Sequence, residues 1–175
     1  TNMHIIANNI NLGFAKGNNV GIKFAKNKLK CDFIFVLNAD TILEDRDTLK
    51  KLINSYVPKR NIAIINPLCC DLDGNVQLPY LISNSKMWRY CLKIGIYLLK
   101  QAIKLTLNLE RTHKNKNINI EAIEDSKYII QGCAYILTPD FFNYYTQIYP
   151  ETFLYCEEMA LGIYIEKINM RTVIN

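Results

Sequence analysis

The chain has only two histidines, His4 and His113, and its six cysteines include no Cys-x-x-C pair. Zinc sites draw on closely spaced Cys and His sets, so this shortage argues against one. No uncharged apolar run reaches the length of about 18 residues that a transmembrane helix needs. Neither a Gly-Lys-Ser/Thr P-loop nor a G-x-G-x-x-G turn is present, which removes two common phosphate-binding signatures. Low-complexity tracts and internal repeats are also missing. What remains is ordinary globular composition, 50% hydrophobic and 21% charged over 175 residues, which predicts one domain with a real core. With no signal-peptide pattern, the expected location is the reducing cytoplasm. There Cys31, Cys69, Cys70, Cys91, Cys133 and Cys156, most of them inside apolar runs, are expected to pack as small buried hydrophobes.

The net charge of +5 is local. Residues 86–116 hold Lys86, Arg89, Lys93, Lys100, Lys104, Arg111, Lys114 and Lys116 against Glu110 alone. Lys86, Arg89, Lys93, Tyr97, Lys100, Lys104, Asn108 and Arg111 step by three or four as one polar stripe, and Trp88, Leu92, Leu99, Ile103 and Leu107 are among the residues covering the rest of a helix predicted over 86–109. Such a helix either packs on the core through a wide apolar face or lies against an anionic membrane surface. Nothing in the charge pattern points to nucleic acid. Thr112 to Asn119 reads as a polar loop.

The run Phe33–Leu37 is short, apolar and rich in β-branched and aromatic residues, as in a strand buried on both faces of a parallel or mixed α/β sheet. It leads directly into Asn38, Ala39 and Asp40. Ligands of open α/β sheets bind beyond the carboxyl ends of strands, so a carboxylate there can hold a metal ion or a ligand hydroxyl. The plainer alternative is that Asn38 and Asp40 turn the chain and cap the next helix. Ahead of this strand, Met3–Ala7 reads as another. The glycines of Gly13-Phe14-Ala15-Lys16-Gly17-Asn18-Asn19-Val20-Gly21 mark a tight turn into a helix over about 17–29.

Further predicted elements are a helix over 44–53, a buried strand over 62–67, a hairpin turn at Asp71–Asn75, a strand over 127–137 interrupted at Gly132, and a short helix from Pro139. The hairpin turn resembles the start of a calcium loop but lacks the downstream glutamate. Near the end, Phe153-Leu154-Tyr155-Cys156 runs into Glu157 and Glu158, which open a helix over about 157–168. Adjacent carboxylates after an apolar run can supply a general base, or they can simply suit the positive end of the helix.

Three of these segments, in this order, resemble the family 2 glycosyltransferases with the GT-A fold, especially the rhamnosyltransferase-like branch. Asn11-Leu12-Gly13-Phe14-Ala15-Lys16-Gly17-Asn18-Asn19 is similar to that group's N-x-G-F-A-x-G-N-N turn. Leu37-Asn38-Ala39-Asp40-Thr41 is similar to its L-N-P-D-T version of the metal-binding D-x-D motif, with Ala39 in place of proline. Thr152 to Glu158 is similar to its F-L-Y-x-E-D/E acceptor-side motif, and Gly132-Cys133-Ala134 fits the small-residue strand before it.

The resemblance implies a Rossmann-like α/β domain over 1–175, with a mixed, mostly parallel sheet flanked by helices and an insertion at 86–116. It implies transfer of a hexosyl-type sugar from a UDP- or dTDP-sugar to a glycan or lipid-linked acceptor hydroxyl, as in assembly of a surface polysaccharide. Gly13, Phe14, Gly17, Asn18, Asn19, Asn38 and Asp40 would lie on the donor side, with Asp40 coordinating Mg²⁺ or Mn²⁺. Gly132, Cys133 and Tyr155 would lie on the acceptor side. Glu158 would be the base of an inverting reaction, with Glu157 the fallback. The basic segment would bring the enzyme to a lipid-linked acceptor at the inner membrane face. Because the family's earlier strand and D-N-x-S-x-D-type segment are not in the sequence, the domain is expected to be N-terminally truncated. The alternative is an incomplete or inactive GT-A domain serving as an interaction module.

Overall fold

A computed structural model describes residues 3–74, 76–77, 96, 99, 130–153 and 157–175. Its centre is a four-stranded sheet of β1 (Ile34–Leu37), β2 (Ile62–Asn66), β5 (Ala134–Leu137) and β6 (Arg171–Ile174). The strand order is β1-β5-β2-β6. β5 runs antiparallel to both β1 and β2, whereas β2 and β6 are parallel. The chain is therefore α/β with a mixed open sheet. The expected mostly parallel sheet is corrected in one respect. β1, β2 and β6 share a direction, but β5 is inserted between β1 and β2, so β2–β6 is the directly parallel pair among the described strands. The β1 run, expected inside a sheet, stands at one end of this order.

β2 and β5 are buried at every position, which matches their apolar character in all but Asn66. A register irregularity between Ile62 and Ile64 changes the phase of β2. Ile62 and Ile65 consequently join one core cluster, and Ala63 and Ile64 the other. The larger cluster adds Ile34, Val36, Tyr135 and Leu137 and is covered by α1 (Phe14–Asn27) through Ala15 and Ile22, and by α4 (Glu157–Lys167) through Leu161 and Ile165. The smaller includes Ile136, with Phe33, Phe35 and Val173 alongside, and is covered by α2 (Thr48–Asn54) through Leu52. Burying one such aliphatic side chain stabilises the fold by about 1.5–3 kcal/mol.

After β5, Thr138 caps α3 (Pro139–Phe142): its Oγ1 accepts from Phe141 N and donates to the carbonyl oxygen of Ile62. A hairpin of β3 (Cys69–Cys70) and β4 (Val76–Gln77) encloses the expected turn. Gly74 adopts φ +79° there, and its N–H donates to the Asp71 carbonyl at 3.0 Å.

Several expectations are revised. Met3–Ala7 joins no strand among the described residues; Met3 and Ile5 are exposed, and His4 lies against Phe24 of α1 with ring centroids 5.2 Å apart. α1 begins at Phe14, so Gly17 and Gly21 lie inside the helix with open space where a β-carbon would be. α2 begins at Thr48 because Asp45 organises a turn before it. The Asp45 carboxylate accepts from Asp47 N at 2.8 Å and pairs with Lys51, and its carbonyl accepts from Thr48 Oγ1 at 2.7 Å. β6 was not anticipated, although Arg171-Thr172-Val173-Ile174 is rich in β-branched residues. Cys31, Cys69 and Cys133 are half-buried and Cys70 is exposed, so these cysteines are not fully buried hydrophobes. The basic segment 86–116 lies outside the described residues apart from Ile96 and Leu99, both helical and exposed. Residues 127–129 of the interrupted strand lie outside them too.

Candidate functional site at the Gly132–Cys133 step

The Asn38–Asp40 segment and Glu158 meet around the chain entering β5, and the glycine turn is bonded to Phe153, four residues before the paired glutamates. In the glycine turn, Gly13 has φ +76°, a conformation that suits glycine. Its N–H donates to Asn11 Oδ1 at 2.9 Å, and its carbonyl accepts the first α1 bond from Gly17 N at 3.1 Å. Phe14 N donates to Phe153 O at 3.0 Å, joining the start of α1 to the segment that leads to the glutamates. Phe14, Gly17 and Asn18 are half-buried in the first turns of α1.

Asn19, expected on the donor side, has a structural task instead. It is 4% exposed; its Nδ2 donates to Ile148 O at 2.8 Å, and its Oδ1 accepts from Ile148 N at 2.9 Å. Both ends of the carboxamide are thus committed to one backbone unit.

Asn38 and Asp40 follow the end of β1, as expected. Asn38 N donates to Cys133 O at 2.9 Å, and Thr41 N returns to Asn38 O at 3.2 Å. Thr41 Oγ1 also donates to Cys133 O, at 3.4 Å. The Cys133 carbonyl therefore anchors both sides of the turn that presents Asp40, whose side chain is exposed. Asp40 is near enough that its charge acts on the Cys133 thiol, opposing ionisation.

One residue earlier, Gly132 faces Glu158. A β-carbon at position 132 would lie 2.9 Å from Glu158 Cδ and 3.1 Å from its Cγ, so glycine is required for the carboxylate to occupy this place. Glu158 is half-buried, whereas its neighbour Glu157 is 7% exposed, and Glu157 Oε1 meets no hydrogen-bond donor among the described residues. Both glutamates open α4, where the helix dipole favours negative charge. Tyr135 lies within reach of both charges. Burial pushes its phenol well above the ordinary range, and the charges of Glu158 and then Glu157 add to the effect.

Sequence reading missed Asn66. This residue ends β2 at 1% exposure, and its Nδ2 donates to Ala134 O at 3.0 Å and to Gln131 O at 3.4 Å. It thereby spans the turn that carries Gly132 and Cys133. The available signal was a single amide closing the apolar run Ile62–Ile65. Tyr155, expected on the acceptor side, lies outside the described residues.

Asp40, the expected cation ligand, is an exposed carboxylate. No group of three or more His, Cys, Asp or Glu suited to a metal ion occurs among the described residues. This donor set does not fit an all-protein cage. It does fit Mg²⁺ or Mn²⁺ bound in the way usual for phosphate substrates, by one or two carboxylates with phosphate oxygens and water completing the shell.

No family model, curated protein or solved structure matches the chain. Among the described residues, no helix is long and apolar enough to cross a membrane.

Proposed function

We propose that this chain is the core of a GT-A glycosyltransferase that moves a sugar from a UDP- or dTDP-sugar to an acceptor hydroxyl of a growing surface glycan, with inversion at the sugar carbon. The observation that carries this reading is the meeting of the Asp40 turn and the Glu158 carboxylate at successive residues, Cys133 and Gly132. A sugar transferase needs a donor-diphosphate side and a proton-accepting side close together, and these segments supply a candidate for each. Mg²⁺ or Mn²⁺, when bound with the diphosphate, neutralises charge on the leaving nucleotide.

Asp40 would hold that cation together with the phosphate oxygens, and Asn38, whose backbone is fixed by Cys133, would orient the turn. Glu158 would accept the acceptor's hydroxyl proton as its oxygen attacks the sugar carbon from the side opposite the leaving diphosphate. Its partial exposure supports this role better than the near-complete burial of Glu157 does. Glu157 would then stay buried at the start of α4 and take no proton from the acceptor. Gly132 would leave the room in which the Glu158 carboxylate meets the acceptor. In this reading the basic segment 86–111 draws the enzyme to a lipid-linked acceptor at the cytoplasmic membrane face.

Calorimetry with UDP and dTDP, with and without Mg²⁺ or Mn²⁺, tests the donor side. Metal-dependent binding is expected, and Asp40→Asn should abolish it. Glu158→Gln should then eliminate transfer while sparing that binding. If neither nucleotide binds in the presence of either metal, the chain is an interaction module and not a transferase.

A further inference from the structure

Cys69 and Cys133 lie 64 residues apart in the chain, yet their sulfurs share a hydrogen bond at 3.5 Å. Cys69 opens the β3–β4 hairpin, and Cys133 is the residue whose carbonyl holds the Asp40 turn. A disulfide requires a sulfur separation of about 2.05 Å, so the pair needs about 1.5 Å of further approach. Both thiols are half-buried and reduced, so neither is sealed in the core nor left on an open surface.

We propose that Cys69 and Cys133 are a thiol–disulfide modification site whose oxidised form bolts the β3–β4 hairpin to the loop between the Asp40 turn and Glu158. The oxidant class is a low-molecular-weight disulfide. Cys133 thiolate attacks one of its sulfurs, forming a mixed disulfide and expelling one thiolate. Cys69, after giving up its proton, attacks Cys133 Sγ and expels the second thiolate. The protein loses two protons and two electrons, and the reagent becomes two thiols.

The shared hydrogen bond suits these roles. It lowers Cys133 to about 7 against the opposing effects of burial and the Asp40 charge. The same bond, with burial and the neighbouring Cys133 and Cys70 sulfurs, raises Cys69. The direction of these shifts agrees with attack by Cys133 and resolution by Cys69, and the 3.5 Å sulfur separation serves either order. Crosslinking residues so distant in sequence also constrains the unfolded chain strongly. The linkage itself does not depend on the transferase reading; only an effect of oxidation on sugar transfer would.

The test oxidises the folded full chain with oxidised glutathione, blocks remaining thiols, and maps disulfide-linked peptides by mass. A Cys69–Cys133 peptide is expected, with two thiols lost per chain and both restored by dithiothreitol. Cys70→Ser should leave the linkage intact. Cys69→Ser should abolish it and leave glutathione attached at Cys133, with Cys69→Ala and circular dichroism controlling for folding. A dominant Cys69–Cys70 linkage, pairing of Cys133 with Cys31, Cys91 or Cys156, persistent glutathione on Cys133 of the unaltered chain, or no loss of thiols would each overturn the proposal.

Discussion

The Glu158 carboxylate occupies the space that a side chain on Gly132 would fill. A helix start and a strand entry are thereby fitted together through the absence of one β-carbon. Gly132→Ala should displace the carboxylate, because the obstructing group is the far end of a flexible side chain and can move. The expected result is a stability change under about 1 kcal/mol, with sugar transfer lost. Thermal melts and a transfer assay measure the two separately. A fully active, equally stable variant would show that the position of Glu158 does not matter.

The other glycine of the site gives the opposite pattern. Gly13 combines a positive φ with close approach to backbone, since a β-carbon there would lie 3.0 Å from the Phe153 carbonyl carbon and nearer still to its oxygen. That backbone cannot swing aside, because Phe14 N is bonded to the same carbonyl at 3.0 Å. Gly13→Ala should therefore lower stability by about 1–3 kcal/mol. Gly17→Ala, inside α1 with open space around it, should leave stability unchanged or raise it by up to about 1 kcal/mol. Urea denaturation of the two variants provides the comparison, and equal effects would contradict the geometry.

Much of the site's layout was legible because its parts are local. Asn38 and Asp40 follow an apolar strand, Gly13 precedes a helix, and Glu157 and Glu158 begin one; each follows from residue order and propensity. What residue order conceals is which segment touches which. The Cys133 carbonyl accepts from Asn38 and Thr41 across a long stretch of chain, and no periodicity signals that bond. Asn19 looked like a ligand-facing amide within a glycine-rich turn, but tertiary packing assigned it to Ile148. Met3–Ala7 has strand composition without a bonded neighbour among the described strands, and backbone pairing, not side-chain type, makes a strand. The direction of β5 was equally hidden, since an apolar run reads the same in a parallel and an antiparallel pair.

Asn66 is predicted to position the Gly132–Cys133 step without touching a substrate. Its Nδ2 bonds to Gln131 O and Ala134 O hold both ends of that turn, and its Oδ1 has no donor among the described residues. Asn66→Ala should cost about 1–3 kcal/mol, because buried carbonyls lose their donor. Asn66→Asp should be worse, since a carboxylate cannot donate to either carbonyl. Amide hydrogen exchange offers the more specific readout: in Asn66→Ala the amides of residues 131–134 should exchange faster, while those of α2 stay protected. Uniform acceleration over the whole chain would indicate only a general loss of stability.

At the far side of the sheet, Tyr56 hydroxyl donates to Asp140 Oδ1 at 2.9 Å, tying the end of α2 to the first turn of α3. Burial is the main cause, followed by the Asp140 hydrogen bond and charge, of a Tyr56 pKa pushed up from 10.0 to about 12. The folded chain therefore holds this proton more tightly than the unfolded chain. Its stabilisation is fully present below pH 10 and declines as pH rises from there to about 12. Tyr56→Phe removes the donor, so stability at neutral pH should fall by about 1–2 kcal/mol. The variant should also lose stability less steeply across that alkaline window. Tyr135 and Tyr164 are shifted in the same direction, so the slope should flatten without vanishing. Urea melts at a series of pH values would decide the matter, and parallel curves for the two proteins would remove Tyr56 as the source of the alkaline loss.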